Sequence, residues 1–123
     1  MKIIDLLDKN SIKLDASPTG KEEALNMAID LMDRSGKLND KEAYRRQVFA
    51  REKESTTGIG EGIAIPHGKC AAVDRPGLAA MVIPGGVDFE SLDDEPVTLM
   101  FLIAAPDTCL LYTSPSPRDP KTS

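Results

Sequence analysis

Tryptophan is absent from the chain, and two tyrosines and three phenylalanines are its only aromatic residues. A base-stacking surface is built from such rings, so their scarcity argues against a nucleic-acid partner. The formal net charge of −5 argues the same way, because phosphate backbones are met by an excess of Lys and Arg. Only two cysteines occur, Cys70 and Cys109. They form neither a disulfide framework nor a CxxC pair. With a single histidine, His67, they make no zinc site, so no metal is expected. No apolar run is long enough to span a membrane. The N-terminus, Met1-Lys2-Ile3-Ile4-Asp5-Leu6-Leu7-Asp8, carries acids early and has no secretory h-region. These absences describe a reduced, cytoplasmic protein without direct membrane insertion.

What remains is an ordinary globular composition, 41% apolar over 123 residues, enough for one domain with a real core. Residues 1–10 read as a short helical turn or lead-in, and Ile12-Lys13-Leu14 alternates as a short strand does. Thr19-Gly20-Lys21-Glu22 has the form of a capping box, with Thr19 as N-cap and Glu22 at N3. Leu25, Ala28, Ile29 and Met32 then recur at helical spacing, and Gly36 is a natural stop, which predicts a helix over 20–35. Asn39 and Glu42 repeat the box, Leu38 can staple against Ala43, and a second helix is expected over 40–53 with Tyr44, Val48 and Phe49 inward.

Beyond the helices the texture changes. Residues 55–62 are small, polar and glycine-rich, a loop by composition. Ile63-Ala64-Ile65 is expected as a short strand stopped by Pro66-His67-Gly68. Residues 78–83 read as a buried strand closed by Pro84-Gly85-Gly86, and Val87 with Phe89 as a piece of extended chain. Residues 97–103, the most continuous apolar run, are expected as a central strand buried on both faces. Helices followed by strands in mixed order indicate an α/β domain with a mixed β-sheet flanked by helices.

From Thr113 to Ser123 there is no apolar residue, and Pro115, Pro117 and Pro120 exclude regular structure. Cys109 to Asp119 resembles the translated adapter sequence found at the ends of assembled environmental sequences. Native sequence is therefore expected to end near Thr108, with 109–123 a non-native disordered tail. The plain alternative is a disordered C-terminus of the protein itself.

The single histidine stands in Gly58-Ile59-Gly60-Glu61-Gly62-Ile63-Ala64-Ile65-Pro66-His67-Gly68-Lys69. Glycines let the backbone approach a bound group and turn N–H groups toward an anion. Pro66 fixes a dihedral before His67, and Gly68 removes a side chain beside the ring. Imidazole titrates near neutrality, about pH 6.5, so it offers an unprotonated nitrogen suited to covalent capture of a phosphoryl group. A lone histidine in a turn is more often a surface or a satisfied side chain than a nucleophile, and the residues alone leave both readings open. Two nucleotide motifs fail. A Walker loop needs four residues between its glycine and Gly-Lys and then Ser or Thr, whereas Gly62 and Gly68-Lys69 are separated by five and followed by Cys70. GxGxxG fails because Ile63 stands where its third glycine is required.

Arg51-Glu52 followed by Ser55-Thr56-Thr57-Gly58-Ile59-Gly60-Glu61-Gly62-Ile63-Ala64-Ile65-Pro66-His67 resembles the signature of enzyme IIA domains of the fructose/mannitol type, from the bacterial sugar phosphotransferase system (PTS), a family that includes the nitrogen-regulatory IIA proteins. Weaker similarity runs from about Ile3 to Pro106. The resemblance implies that His67 is phosphorylated by the phosphocarrier HPr and passes the group to a IIB domain, with no organic cofactor. It implies that Arg51 holds phosphate or steers the partner, and that Thr57, Gly58 and Gly60 shape the phosphate pocket by backbone contacts. By residue type alone, Arg51 would be a solvated helix-end charge. Glu61 is expected to face solvent rather than act as an acid catalyst, Cys70 to be a small buried or half-buried residue rather than a nucleophile, and Lys69 can add positive charge near the phosphate, though the motif does not require it.

One departure follows from the same resemblance. The family commonly carries a second histidine further on, and this chain has none. Residues 1–108 are accordingly expected to be a partial IIA domain lacking the closing helices and last strand, which would leave one flank of 97–103 as an unpaired apolar edge. Two further readings stand beside the phosphocarrier: a nitrogen-regulatory type, in which the phosphorylation state of His67 controls regulatory protein partners, and an inactive truncated fragment.

Overall fold

The computed structural model describes residues 7–106. The expectations for the first six residues and for the tail from Cys109 lie outside the described residues. In chain order the elements are β1 (Leu7–Lys13), α1 (Lys21–Arg34), α2 (Lys41–Glu54), β2 (Gly58–Gly60), β3 (Ile63–Ala64), β4 (His67–Cys70), β5 (Gly77–Val87) and β6 (Val97–Pro106). They form a six-stranded mixed sheet in the order β1-β5-β6-β3-β2, with β4 also paired to β6. The expected α/β architecture is present. The lead-in differs: residues 7–10 belong to a strand parallel to β5, not to a helical turn, and Leu14 lies beyond it, exposed.

Both helices appear where their apolar spacing places them, but each cap sits one residue later than expected. Gly20, not Thr19, is the N-cap of α1, and it makes no side-chain cap. The reciprocal bond survives in shifted form, since the Thr19 N–H donates to Glu23 Oε1 at 2.7 Å and Glu22 is not the partner. Asp40, not Asn39, caps α2 by accepting the Ala43 N–H at 3.1 Å. The Asn39 amide is used elsewhere, donating to the Ala71 carbonyl and to Asp74. Gly36 ends α1 with φ of +77°, the left-handed conformation glycine tolerates best.

The buried stripe of α1, formed by Ala24, Leu25, Ala28, Ile29, Leu31 and Met32, packs on β1 and β5, while α2 lies on β4. Tyr44 and Val48 are fully buried under α2; Phe49 is only half-buried, with the Arg45 guanidinium over its ring at 4.8 Å. Along β5 the residues Ala79, Met81 and Ile83 are buried and alternate with half-buried neighbours, as a sheet with one covered face requires. Burying this contiguous cluster is the main force holding the sheet and helices together.

Four strand expectations are corrected. Pro84-Gly85-Gly86 does not close β5. The strand continues to Val87, and its register against β6 slips between Val82 and Val87, so the missing proline N–H costs no ladder bond there. The run 97–103 is central and extends to Pro106, yet it is not buried on both faces: Thr98 and Ile103 are exposed and Phe101 is half-buried. Nor is its flank an unpaired edge. β5 occupies one side antiparallel, and β3 and β4 share the other, both parallel. Pro66-His67-Gly68 does not end the extended chain; it opens β4 alongside β6.

Candidate functional site

The glycine-rich stretch expected as a loop is largely a hairpin. β2 and β3 are antiparallel, with Gly60 opposite Ile63. The two residues between them, Glu61 and Gly62, have φ of +57° and +80°, the sign a tight type I′ connection demands at both positions. Glu61 is exposed, and its backbone N–H donates to Asp93 Oδ2 at 3.0 Å. Gly58 is buried against Ser91, whose Cβ lies 2.9 Å from where a Gly58 Cβ would stand. Glycine is therefore needed there for close approach rather than for backbone freedom.

From this hairpin the chain enters the site. The Ile65 N–H donates to the Thr57 carbonyl at 3.0 Å, and the Ile103 N–H donates to the Pro66 carbonyl at 3.0 Å. These bonds tie the residues before His67 to the hairpin on one side and to β6 on the other. His67 then pairs with Ile103, and Gly68 with Ala104. Successive strand residues point to opposite faces. Gly68 faces α2, where an added Cβ would meet Tyr44 Cε1 at 2.8 Å and Val48 Cγ2 at 2.9 Å. His67 is thereby turned to the other face of the sheet, beside Ile103.

The half-buried His67 ring has Nδ1 3.2 Å from the Ile65 carbonyl. A carbonyl only accepts, so the facing nitrogen of the neutral ring is the N–H, and the lone pair is left on Nε2. His67 opens on a cleft of about 530 Å³, whose lining includes Arg51, Thr57, Ile59, Ile65, Lys69, Ile103 and Ala105. Besides His67, the ionisable groups on its walls among the described residues are Arg51 and Lys69, both cationic. The half-buried Arg51 comes from the last turn of α2, its Nη1 donating to the Ser55 carbonyl at 3.0 Å. An anion entering this cleft meets two cations, apolar walls and an imidazole lone pair.

Of the residues singled out from sequence, Arg51, Thr57 and His67 are brought together, with Lys69 beside them. Gly58 and Gly60 are in β2 and do not line it. Thr57 lines it, but its N–H and hydroxyl both donate to Glu52, at 2.9 Å to Oε2 and 2.6 Å to Oε1. Cys70, at the end of β4, is half-buried, free and packed against the core. Among the described residues no group of three or more His, Cys, Asp or Glu is placed to hold a metal, and no helix is long and apolar enough to cross a membrane.

Glu52 is the residue the sequence reading missed. It stands in the motif only as the neighbour of Arg51, yet it is buried, with Lys21 Nζ 2.9 Å from Oε2. Burial raises its pKa, but the Thr57 and Lys21 hydrogen bonds outweigh burial and hold the carboxyl below the usual glutamate range. The signal was present in the spacing: Tyr44, Val48 and Glu52 recur every four residues on the inward face.

Residues 5–110 match the family model described as phosphoenolpyruvate-dependent sugar phosphotransferase system, EIIA 2. The chain is 49% identical over 105 residues to the PTS system fructose-specific EIIABC component of Bacillus subtilis, covering 85% of this chain and 16% of that protein. It is 40% identical over 95 residues to the PTS system fructose-specific EIIA component of Haloferax volcanii, covering 77% of this chain and 62% of that one. The chain thus spans less than two thirds of either relative. Among solved structures, the nitrogen regulatory protein IIA-Ntr from Neisseria meningitidis superposes with a TM-score of 0.77 at 33% identity, over 84% of this chain and 70% of that one. The IIA mannitol enzyme of Escherichia coli, in its complex with phosphorylated IIB mannitol, superposes with a TM-score of 0.72 at 30% identity, over 85% and 74%. The sequence match along most of the chain and the shared α/β fold make it a member of the PTS enzyme IIA family of the fructose/mannitol type.

Proposed function

We propose that this chain is a phosphocarrier that accepts a phosphoryl group from HPr on His67 and passes it to a IIB domain. The observation that carries the proposal is the bond from His67 Nδ1–H to the Ile65 carbonyl, which leaves the Nε2 lone pair at a cleft flanked by Arg51 and Lys69. In the first step the Nε2 lone pair attacks phosphorus, the Nε2–P bond forms and the bond from phosphorus to the donor breaks. The ring becomes cationic without releasing a proton, and Nδ1–H then makes a charge-assisted bond to Ile65. Phosphoryl transfer of this kind depends on positioning and charge stabilisation, which the Arg51 guanidinium supplies to the transferring oxygens. In the second step an acceptor nucleophile takes the phosphoryl group and the Nε2 lone pair returns. Identity to the fructose-specific relative favours sugar transport as the setting.

A second reading rests on the superposition with the nitrogen regulatory protein. There the same phosphorylation on His67 would be read by a regulatory protein partner.

Intact-mass analysis after incubation with phosphoenolpyruvate, enzyme I and HPr tests the proposal. An acid-labile gain of one phosphoryl group is expected in the wild type and in Cys70→Ala, and none in His67→Ala. No gain in wild-type protein shown to be folded overturns it.

A further inference from the structure

Glu52 touches neither the cleft nor His67, yet a continuous run of hydrogen bonds joins them. Each Glu52 carboxylate oxygen takes one donor from Thr57, the N–H at 2.9 Å and the hydroxyl at 2.6 Å. The carbonyl of that same Thr57 accepts the Ile65 N–H at 3.0 Å. The Ile65 carbonyl in turn accepts His67 Nδ1–H at 3.2 Å. The carboxylate is held in place from the other side by Lys21 Nζ at 2.9 Å, and Lys21 is itself seated over the Phe89 ring at 4.8 Å. The neighbouring peptide is pinned to the same ring's residue, because the Thr56 hydroxyl donates to the Phe89 carbonyl at 3.2 Å while accepting the Gly58 N–H at 3.1 Å.

We infer that Glu52 is a positioning residue for His67: by clamping both donors of Thr57, it sets the Ile65 peptide and, through its carbonyl, the tautomer and ring orientation that present Nε2 to the cleft. The inference concerns how His67 is prepared, and so deepens the phosphocarrier reading on which it rests. A carboxylate is the right group for the place. Three donors converge on its two oxygens, and it offers acceptors only. Glutamine would have the same shape but no charge, and its N–H₂ could meet the Thr57 hydroxyl only if that hydroxyl turned from donor to acceptor, so the charge-assisted hold on the Thr57 N–H and on Lys21 would weaken. Loss of a purely structural anchor would lower the melting temperature and leave the ring of a folded molecule unchanged. Loss of a positioning residue changes the ring itself.

His67 is the chain's only histidine, so its ring signals in a long-range ¹H–¹⁵N spectrum need no assignment. The experiment compares the full chain as wild type, Glu52→Gln and Thr57→Val at about pH 8.5, where imidazole is neutral. Wild type is expected to populate mainly the Nδ1–H tautomer. Glu52→Gln is expected to lower the Nδ1–H to Nε2–H ratio roughly three- to tenfold, the scale of one neutral hydrogen bond. It is also expected to lower kcat for phosphorylation while KM for HPr stays unchanged. Thr57→Val, which keeps the backbone donor and loses only the hydroxyl, is expected to shift the ratio the same way by less. A folded Glu52→Gln protein with the wild-type ratio overturns the inference. If Glu52→Gln does not fold, an unchanged ratio in Thr57→Val overturns it. A shifted ratio in a chain whose wild type takes no phosphoryl group from HPr would sink the phosphocarrier reading and sustain the positioning role.

Discussion

The Tyr44 phenol donates to the Ile103 carbonyl at 2.7 Å, and Ile103 is the residue directly opposite His67 in the β4–β6 register. A fully buried side chain of α2 thus fixes the strand position against which the candidate nucleophile is aligned. Burial, with a smaller contribution from Cys70, pushes the phenol well above the usual tyrosine range, so it stays a donor.

Tyr44→Phe keeps the ring and removes that donor. It is expected to lower stability by about 1–2 kcal/mol, measured by urea unfolding, because the part-buried bond to the Ile103 carbonyl is lost.

Gly68→Ala tests how closely α2 sits on β4. The new methyl would meet Tyr44 and Val48 inside 3 Å, and both of those side chains are fully buried. Overpacking of this kind is expected to cost about 1–3 kcal/mol. Gly85→Ala, where nothing lies within 4 Å, is expected to stay within about 0.5 kcal/mol of wild type in the same titration.

The Glu52 cluster gives a pH dependence of known sign. Its folded pKa is depressed below the unfolded value, so its contribution is complete above the unfolded pKa and disappears as pH falls through the folded one. Glu52→Gln is expected to cost about 1–3 kcal/mol at pH 7, where the bonded carboxylate is charged. The gap between variant and wild type is expected to narrow as pH drops below about 4.3. Denaturant midpoints measured from pH 7 to pH 3 check it, and a gap that widens toward acid would contradict the assignment.

Arg51 separates charge from geometry. Arg51→Ala is expected to slow phosphorylation of His67 by roughly 10²- to 10³-fold, the usual effect of removing one donor to a developing oxyanion. Arg51→Lys keeps the charge but not the planar fork, and should recover only part of the rate. Rapid-quench labelling resolves the two, and an unchanged rate in Arg51→Ala would make it a surface charge.

Local features were legible from residue order. The apolar spacing placed α1 and α2 within a residue of their observed bounds, because an amphipathic stripe records which face is covered. The motif around His67 singled out the histidine, and the apolar run of β6 announced a central strand. The caps slipped by one residue because Thr19, Gly20, Asn39 and Asp40 all suit that position, and the choice depends on what else each can bond. Asn39 was drawn away by Ala71 and Asp74, which are close only in the folded chain.

The sequence by itself determined the helices, the glycine hairpin's composition and the identity of the family through residues 51–67. Tertiary structure decided the rest. The pairing of β4 with β6 turned an apparent stop at Pro66 into the strand that carries His67. Folding also brought Lys21 of α1 to Glu52, in the last turn of α2, and Thr57, just after it, and buried the Glu52 carboxylate. The reason is range. Propensity and periodicity act over a few neighbouring residues, whereas the burial of a charge depends on which distant donors the fold delivers to it.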